Sequence, residues 1–257
     1  MTMRNKAAGV LASTLAMLAP QAWADTASVA VSNVKVQVMD TVPGDDIWPW
    51  AVFFTGDPSW LSYTTLAGAH VEAPVADQAS QGWLGTVQSA TASSGGSMAQ
   101  AGTTAGDLYG SSGPGGWASV SAVDGQQGWA YATVFNGLFL AGAQTRFVVT
   151  ASVDGLTAAG ASAQANTSIE ICDNDGSCSP LGYSEALTFG GFGFPVPTSL
   201  RAEWTNPTSD AAWGTLNVSM AAAAQSTLLP VPEPATGLLF LAGVAALCAA
   251  GTRRPQR

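Results

Sequence analysis

Histidine occurs once in 257 residues, as His70, and cysteine three times. That scarcity removes most nucleophile–base chemistry, because Ser-His-Asp and Cys-His arrangements need a histidine with identifiable partners. A metal site built from several histidines is excluded outright. Positive charge is equally scarce: Lys+Arg is 8 against Asp+Glu 17, and charged residues are 10% of the chain, where an average soluble domain has roughly 25%. Arg4 and Lys6 stand at the start and Arg253, Arg254 and Arg257 at the end, so only Lys35, Arg146 and Arg201 lie between Asp25 and Pro234. A surface so poor in cations cannot neutralise a phosphate backbone, which excludes a nucleic-acid partner. Helical periodicity is also missing from this central part.

The two ends carry clear patterns. Arg4 and Lys6 precede an apolar stretch from Ala7 to Ala19, followed by Pro20 and the small-x-small ending Ala22-Trp23-Ala24. These are the three parts of a secretory signal peptide over residues 1–24, with cleavage after Ala24 leaving Asp25 first. The apolar run is too short to span a bilayer. Export of this kind makes the Sec machinery an expected partner.

At the other end, Val231-Pro232-Glu233-Pro234 is followed by an apolar segment from Gly237 to Gly251 and then Thr252-Arg253-Arg254. Physically this is a helix-breaking element, a short membrane-compatible helix and a basic stop that favours the cytoplasmic side. The order resembles the PEP-CTERM sorting signal of Gram-negative bacteria. The resemblance implies that Pro232, Glu233 and Pro234 form the recognition element and that Arg253 and Arg254 are the stop signal. It further implies an exosortase-type membrane enzyme as partner. The precursor would be held transiently in the inner membrane, and the product delivered to the cell surface or the exopolysaccharide matrix. Pro255-Gln256 departs from the pattern by interrupting the basic cluster.

The residues between read as β-structure. Val34-Lys35-Val36-Gln37-Val38 alternates cleanly, while Val29 and Val31 alternate in the opposite phase, so Ser32-Asn33 marks a bulge or break. Phe147, Val149, Ala151 and Val153 share one face, as do Leu200, Ala202 and Trp204, and Leu216, Val218 and Met220. Trp129, Tyr131, Thr133 and Phe135 supply another such face. The segments ending at Trp204 and starting at Trp213 read as a hairpin with a polar loop. About ten strands with one apolar face each predict an all-β fold, an antiparallel β-sandwich that is jelly-roll-like. The division is residues 1–24 signal peptide, 25–224 sandwich, 225–230 linker and 231–257 sorting tail, whose apolar helix covers about 237–251.

Cys248 lies in the tail, which leaves Cys172 and Cys178 as an even pair in an exported protein. Asp173-Asn174-Asp175-Gly176-Ser177 separates them, and Asp-Gly is a turn signal. A disulfide clasping a hairpin loop is predicted.

Several residue groups carry possible chemistry. Asp40, Asp45 and Asp46 crowd around Pro43-Gly44, and calcium takes several such oxygens, so they rank first as a metal site. Asp173 and Asp175 fit a polar turn better than an EF-hand, whose Gly and Glu positions they lack. Trp48, Trp50 and Trp60, near Phe53 and Phe54, concentrate flat rings with polar edges, which suit sugar partners. No catalytic residue stands out and no cofactor beyond calcium is suggested. The first reading is therefore a non-enzymatic exported protein of the cell surface or extracellular matrix, associated with exopolysaccharide. The second is a carbohydrate-binding module using the three tryptophans. The third is a glycoside hydrolase, which needs only two facing carboxylates.

Overall fold

A computed structural model describes residues 24–54, 65–72, 75–82, 86–190 and 195–226. These residues lie within one compact unit, Trp23–Thr227. They form thirteen strands and no helix: β1 Asp25–Asp40, β2 Ala51–Phe53, β3 Thr65–Val71, β4 Ala76–Gly82, β5 Ser89–Ser94, β6 Ser97–Thr104, β7 Gly115–Ala122, β8 Gln127–Ala141, β9 Thr145–Ala159, β10 Gln164–Asp173, β11 Cys178–Phe189, β12 Ser199–Thr205 and β13 Ala212–Gln225. No helix among the described residues is long and apolar enough to cross a membrane. Residues 1–23 of the expected signal peptide 1–24, and the expected apolar tail 237–251, lie outside the described residues.

The strands make two wholly antiparallel sheets. The first runs β12-β9-β1-β7-β6-β5 and the second β11-β10-β13-β8-β3-β4, with β2 sharing the free edge of β8 beyond β3. Period-two alternation decides which side chains meet between them. In β1, Val29, Val31, Val34 and Val36 are all buried although their spacing changes phase. Asn33 absorbs the change with φ 55° and a register shift between Ser32 and Lys35, as the valine phases predict. A second bulge corrects an expectation. Trp129, Tyr131 and Thr133 face outward, but Val134 and Phe135 are both buried, and the pairing with β13 slips between Val218 and Ser219. Phe135 thus turns into the core instead of continuing the outer aromatic row.

The predicted hairpin between Trp204 and Trp213 does not form. β12 pairs with β9 in the first sheet, whereas β13 pairs with β8 and β10 in the second. Both strands present apolar faces to the interior, from opposite sides, so the loop between them arches across the core. Buried Asn206 holds that arch, donating Nδ2–H to the carbonyls of Gly142 and Asp210 at 2.8 and 2.7 Å. The pairs β8–β13, β9–β12 and β10–β11 are nested one inside the next, the wrapping rule of a jelly roll. Of the remaining strands, β3–β4 and β5–β6–β7 are local hairpins, while β1 pairs at long range with β7 and β9, and β2 and β3 with β8.

The two sheets close on one hydrophobic core, nearly half of whose buried residues are alanine. Alanines dominate where β3, β5 and β6 meet β8, while Phe135, Phe139, Phe147 and Trp204 fill the other end. Close packing then brings the sheets nearer together at the alanine end. Side chains cover the sheet edges. Ser184 Oγ of β11 accepts the Arg201 N–H of β12, and Gln78 of β4 accepts the Thr91 N–H of β5, which blunts open pairing groups.

Both ends of the sandwich flank one turn. Asp25 pairs with Ala122, Gln225 pairs with Gln127, and the Ser226 N–H donates to Gln126 O at 2.9 Å. Asp124 and Gly125 in that turn have φ of 54° and 77°, the left-handed pair of a tight Asp-Gly turn, which here carries the chain from β7 in the first sheet to β8 in the second.

Candidate functional site

The Asp40–Asp46 loop uses its carboxylates locally. Asp40 Oδ1 accepts the Val42 N–H at 2.8 Å and Asp45 Oδ1 the Ile47 N–H at 2.9 Å, while Gly44 and Asp46 take left-handed backbone angles. Asp45 Oδ2 is shielded and has no hydrogen-bond partner among the described residues. Asp40, Asp45 and Asp46 do not converge as a metal-ligand group. Among the described residues, the group whose ligand atoms come within 4.8 Å of one another is Glu170 with Cys172 and Cys178. Those two sulfurs are bonded to each other, so they offer no thiolate. The disulfide clasps the β10–β11 hairpin as expected, with Asp175 Oδ1 accepting the Ser177 N–H and Gly176 at φ 81°. The Ser177 hydrogen bonds hold the Asp175 carboxyl below its ordinary range.

The sugar-binding expectation meets a definite geometry. From Trp48 to Phe54, exposed and half-buried residues alternate strictly, although the strand itself begins only at Ala51. Trp48 is 85% exposed and Trp50 41%. The Trp50 indole rests on Gly142, where an added Cβ would stand 2.5 Å from Nε1. Val52 is paired to Leu140, and Leu140 to Trp213, so these three form an apolar row on the outer face of the second sheet. Phe54 stacks on Trp213 with centroids 5.0 Å apart. Trp60 lies outside the described residues.

The same outer face carries a second aromatic group near the opposite end of β8. Trp129 stacks on His70 of β3 at 5.1 Å and on Tyr131 at 5.4 Å, with interplanar angles of 15° and 23°. The Tyr131 ring lies across Gly68, where a Cβ would meet Cε1 and Cζ at 2.4 Å, so the stack needs glycine there. His70 Nδ1 is 4.0 Å from Asp77 Oδ1. The alternation of β8 placed Trp129 and Tyr131 on one face. Their meeting with His70 depends on the β3–β8 register, which no local pattern encodes.

Both arginines of the sandwich are spent on one carboxylate. Glu203 accepts hydrogen bonds from Arg146 and Arg201 at 2.6 and 2.8 Å. Burial opposes its ionisation, but the two guanidinium groups outweigh that and hold its carboxyl below the ordinary value. The Tyr183 hydroxyl donates to Glu185 Oε2 at 2.7 Å, and that bond, with burial and the Glu185 and Glu170 charges, pushes Tyr183 up to about 12. Tyr109 is pushed to about 12 by burial and by Asp107. Its hydroxyl donates to Ala51 O, beside a cavity of about 400 Å³ lined by Val52, Phe53 and Leu108.

Among the described residues the second sheet ends at Gln225 and Ser226 makes the last backbone hydrogen bond, and in the sequence Glu233, between Pro232 and Pro234, follows a few residues later. Residues 230–254 match the family model of the PEP-CTERM protein-sorting motif. The chain carries that sorting signal. The PEP-CTERM match includes Pro232, Glu233, Pro234, Arg253 and Arg254, all of which lie outside the described residues. It marks the protein as exported cargo of an exosortase-type enzyme and does not extend into the sandwich. No curated protein and no solved structure matches this chain.

Proposed function

We propose that this protein enters the export route through the signal at residues 1–24, is held briefly by its PEP-CTERM tail, and is released to the cell surface. There it associates with matrix polysaccharide without acting as an enzyme. The observation that supports the polysaccharide part is the exposure of Trp48 and Trp50 at one end of a sheet face that also carries Trp213. A large apolar ring left in water on an exported protein is an unpaired recognition element. The non-enzymatic part rests on the single histidine of the chain, His70, which leaves no nucleophile–base arrangement with identifiable partners.

The test separates sorting from binding. Replacing Glu233 with Ala, or Pro232 and Pro234 together, should trap the protein in the membrane fraction at full mass. Normal release of these variants would sink the sorting assignment. Trp48→Ala and Trp50→Ala should leave release intact, while the protein washes more readily from isolated matrix. Unchanged matrix retention would remove the tryptophans from the reading.

A further inference from the structure

We propose that a shallow trough on the outer face of the second sheet, floored by Ala221 and Ala223, is a binding site for a neutral polysaccharide chain. This rests on the matrix reading above and gives it a second, unforeseen address, away from Trp48 and Trp50.

The trough follows from strand register. Two rows of residues cross four strands side by side. One reads Trp129, Ala223, Gln164, Phe189 and the other Tyr131, Ala221, Asn166, Leu187, from β8 through β13 and β10 to β11. Tyr131 and Trp129 associate with Gly68 and His70, on the β3 side. On the β11 side Leu187 stands 38% exposed. Between these two borders β13 presents only methyl groups, so the surface drops to the backbone. Further along β13 the outward residues are Ser219, Asn217 and Thr215, and the trough ends. Its cavity is about 120 Å³, well under the roughly 300 Å³ of an enclosing small-molecule pocket. A cavity of this size seats one unit at most, which suits a polymer lying across it.

The lining chooses the chemistry. Gln164 and Asn166 place two carboxamides over the floor, each with a donor NH2 and an acceptor oxygen, and among the described residues neither side chain has a hydrogen-bond partner. That pattern matches hydroxyl pairs, which both donate and accept. Trp129, 42% exposed, adds an apolar ring with a polar edge beside them. None of the lining residues Gln164, Ala165, Asn166, Leu187, Ala221, Ala222 and Ala223 is charged. In a chain with 17 acidic and 8 basic residues, an uncharged site suits a neutral polymer. An anionic polysaccharide would meet general repulsion with no local cation to hold it.

Affinity electrophoresis tests this on the released protein from its host. The gels contain hydroxyethyl cellulose, glycogen, dextran, alginate or deproteinised exopolysaccharide of the same host. Wild-type protein should be retarded by at least one neutral polymer and not by alginate. Trp129→Ala and the trough-filling Ala221→Tyr should weaken that retardation about tenfold, with thermal midpoints near that of wild type. Ala221→Tyr keeps every lining group and so tests the trough even where Trp129→Ala unfolds the protein. Wild-type retardation that both folded variants retain would move the site elsewhere and spare the polysaccharide reading. A wild type retarded by no polymer would end both, while the membrane-trapping test of the tail would stand. Retardation by alginate alone would overturn the neutral-polymer assignment.

Discussion

Trp204 donates its indole N–H to Asp173 Oδ1 at 2.6 Å. The indole belongs to β12 of the first sheet and the carboxylate to the last residue of β10 in the second, so this bond spans the sandwich and anchors the disulfide turn to the opposite layer. Trp204 is 5% exposed, so bulk water is a poor alternative partner for its N–H. Asp173→Ala should cost about 1–3 kcal/mol, the range for stranding a buried donor. Asp173→Asn keeps an acceptor and should cost less. Urea unfolding followed by tryptophan fluorescence measures both, and equal losses for the two variants would refute the role of the bond.

The Cys172–Cys178 bridge closes a very short loop, and a short loop removes little denatured-state entropy. Its reduction should cost about 2 kcal/mol, which for a domain of this size is roughly 4–8 °C in thermal midpoint. The double Cys172→Ala, Cys178→Ala variant should still fold. Calorimetry with and without reductant decides the magnitude, and complete loss of the transition on reduction would contradict it.

Arg146 and Arg201 hold the Glu203 carboxyl below its ordinary value of 4.5. A depressed folded-state pKa stabilises the protein above the unfolded value, and that contribution disappears as pH falls through the folded value. The difference in thermal midpoint between wild type and Glu203→Gln should therefore be constant near neutrality and shrink only below about pH 4.5. A difference that instead grew on acidification would show that the pairing with Arg146 and Arg201 is not the stabilising element.

Gly68 lies under the Tyr131 ring, and a methyl group there would stand 2.4 Å from two ring carbons. Gly68→Ala should displace the ring and disturb the stack with Trp129 and His70, at a cost of about 1–3 kcal/mol for overpacking. Near-ultraviolet circular dichroism should change with it. An unchanged aromatic spectrum would mean that the ring does not lie across the glycine in solution.

Much of this architecture was readable from alternation alone, because a strand with one wet face writes its burial into every second residue. The valines of β1, including the phase change at Asn33, are the clearest instance. The Cys172–Cys178 turn was legible for a different reason, since Asp-Gly between two strand-like flanks allows few backbone paths. Pairing partners were not legible. β12 and β13 are neighbours in sequence with complementary apolar faces, and nothing local says that those faces confront each other from opposite sheets. The bulge at Val134–Phe135 was hidden because Phe135 continues the odd-numbered aromatic row; the break signal that could have exposed it, Asn136-Gly137, comes only after that residue. The alanine trough was hidden more deeply. Ala221 and Ala223 look like ordinary strand filler until the register sets them between Trp129 and Gln164.

Asp25 and Ser226 flank the same four-residue turn, Val123-Asp124-Gly125-Gln126. Nothing in either sheet requires the chain to begin at one and end at the other. A short glycine-rich bridge between them would close the sandwich into a covalent ring with every strand pair retained, and fresh termini could be opened at an exposed loop such as residues 208–211. The order in which the strands are synthesised is thus separable from the order in which they pair. β1, made first, currently waits for partners as distant as Ala122 and Ala159; termini opened at residues 208–211 would leave that wait unchanged and send β13 out ahead of β1, without altering the finished fold.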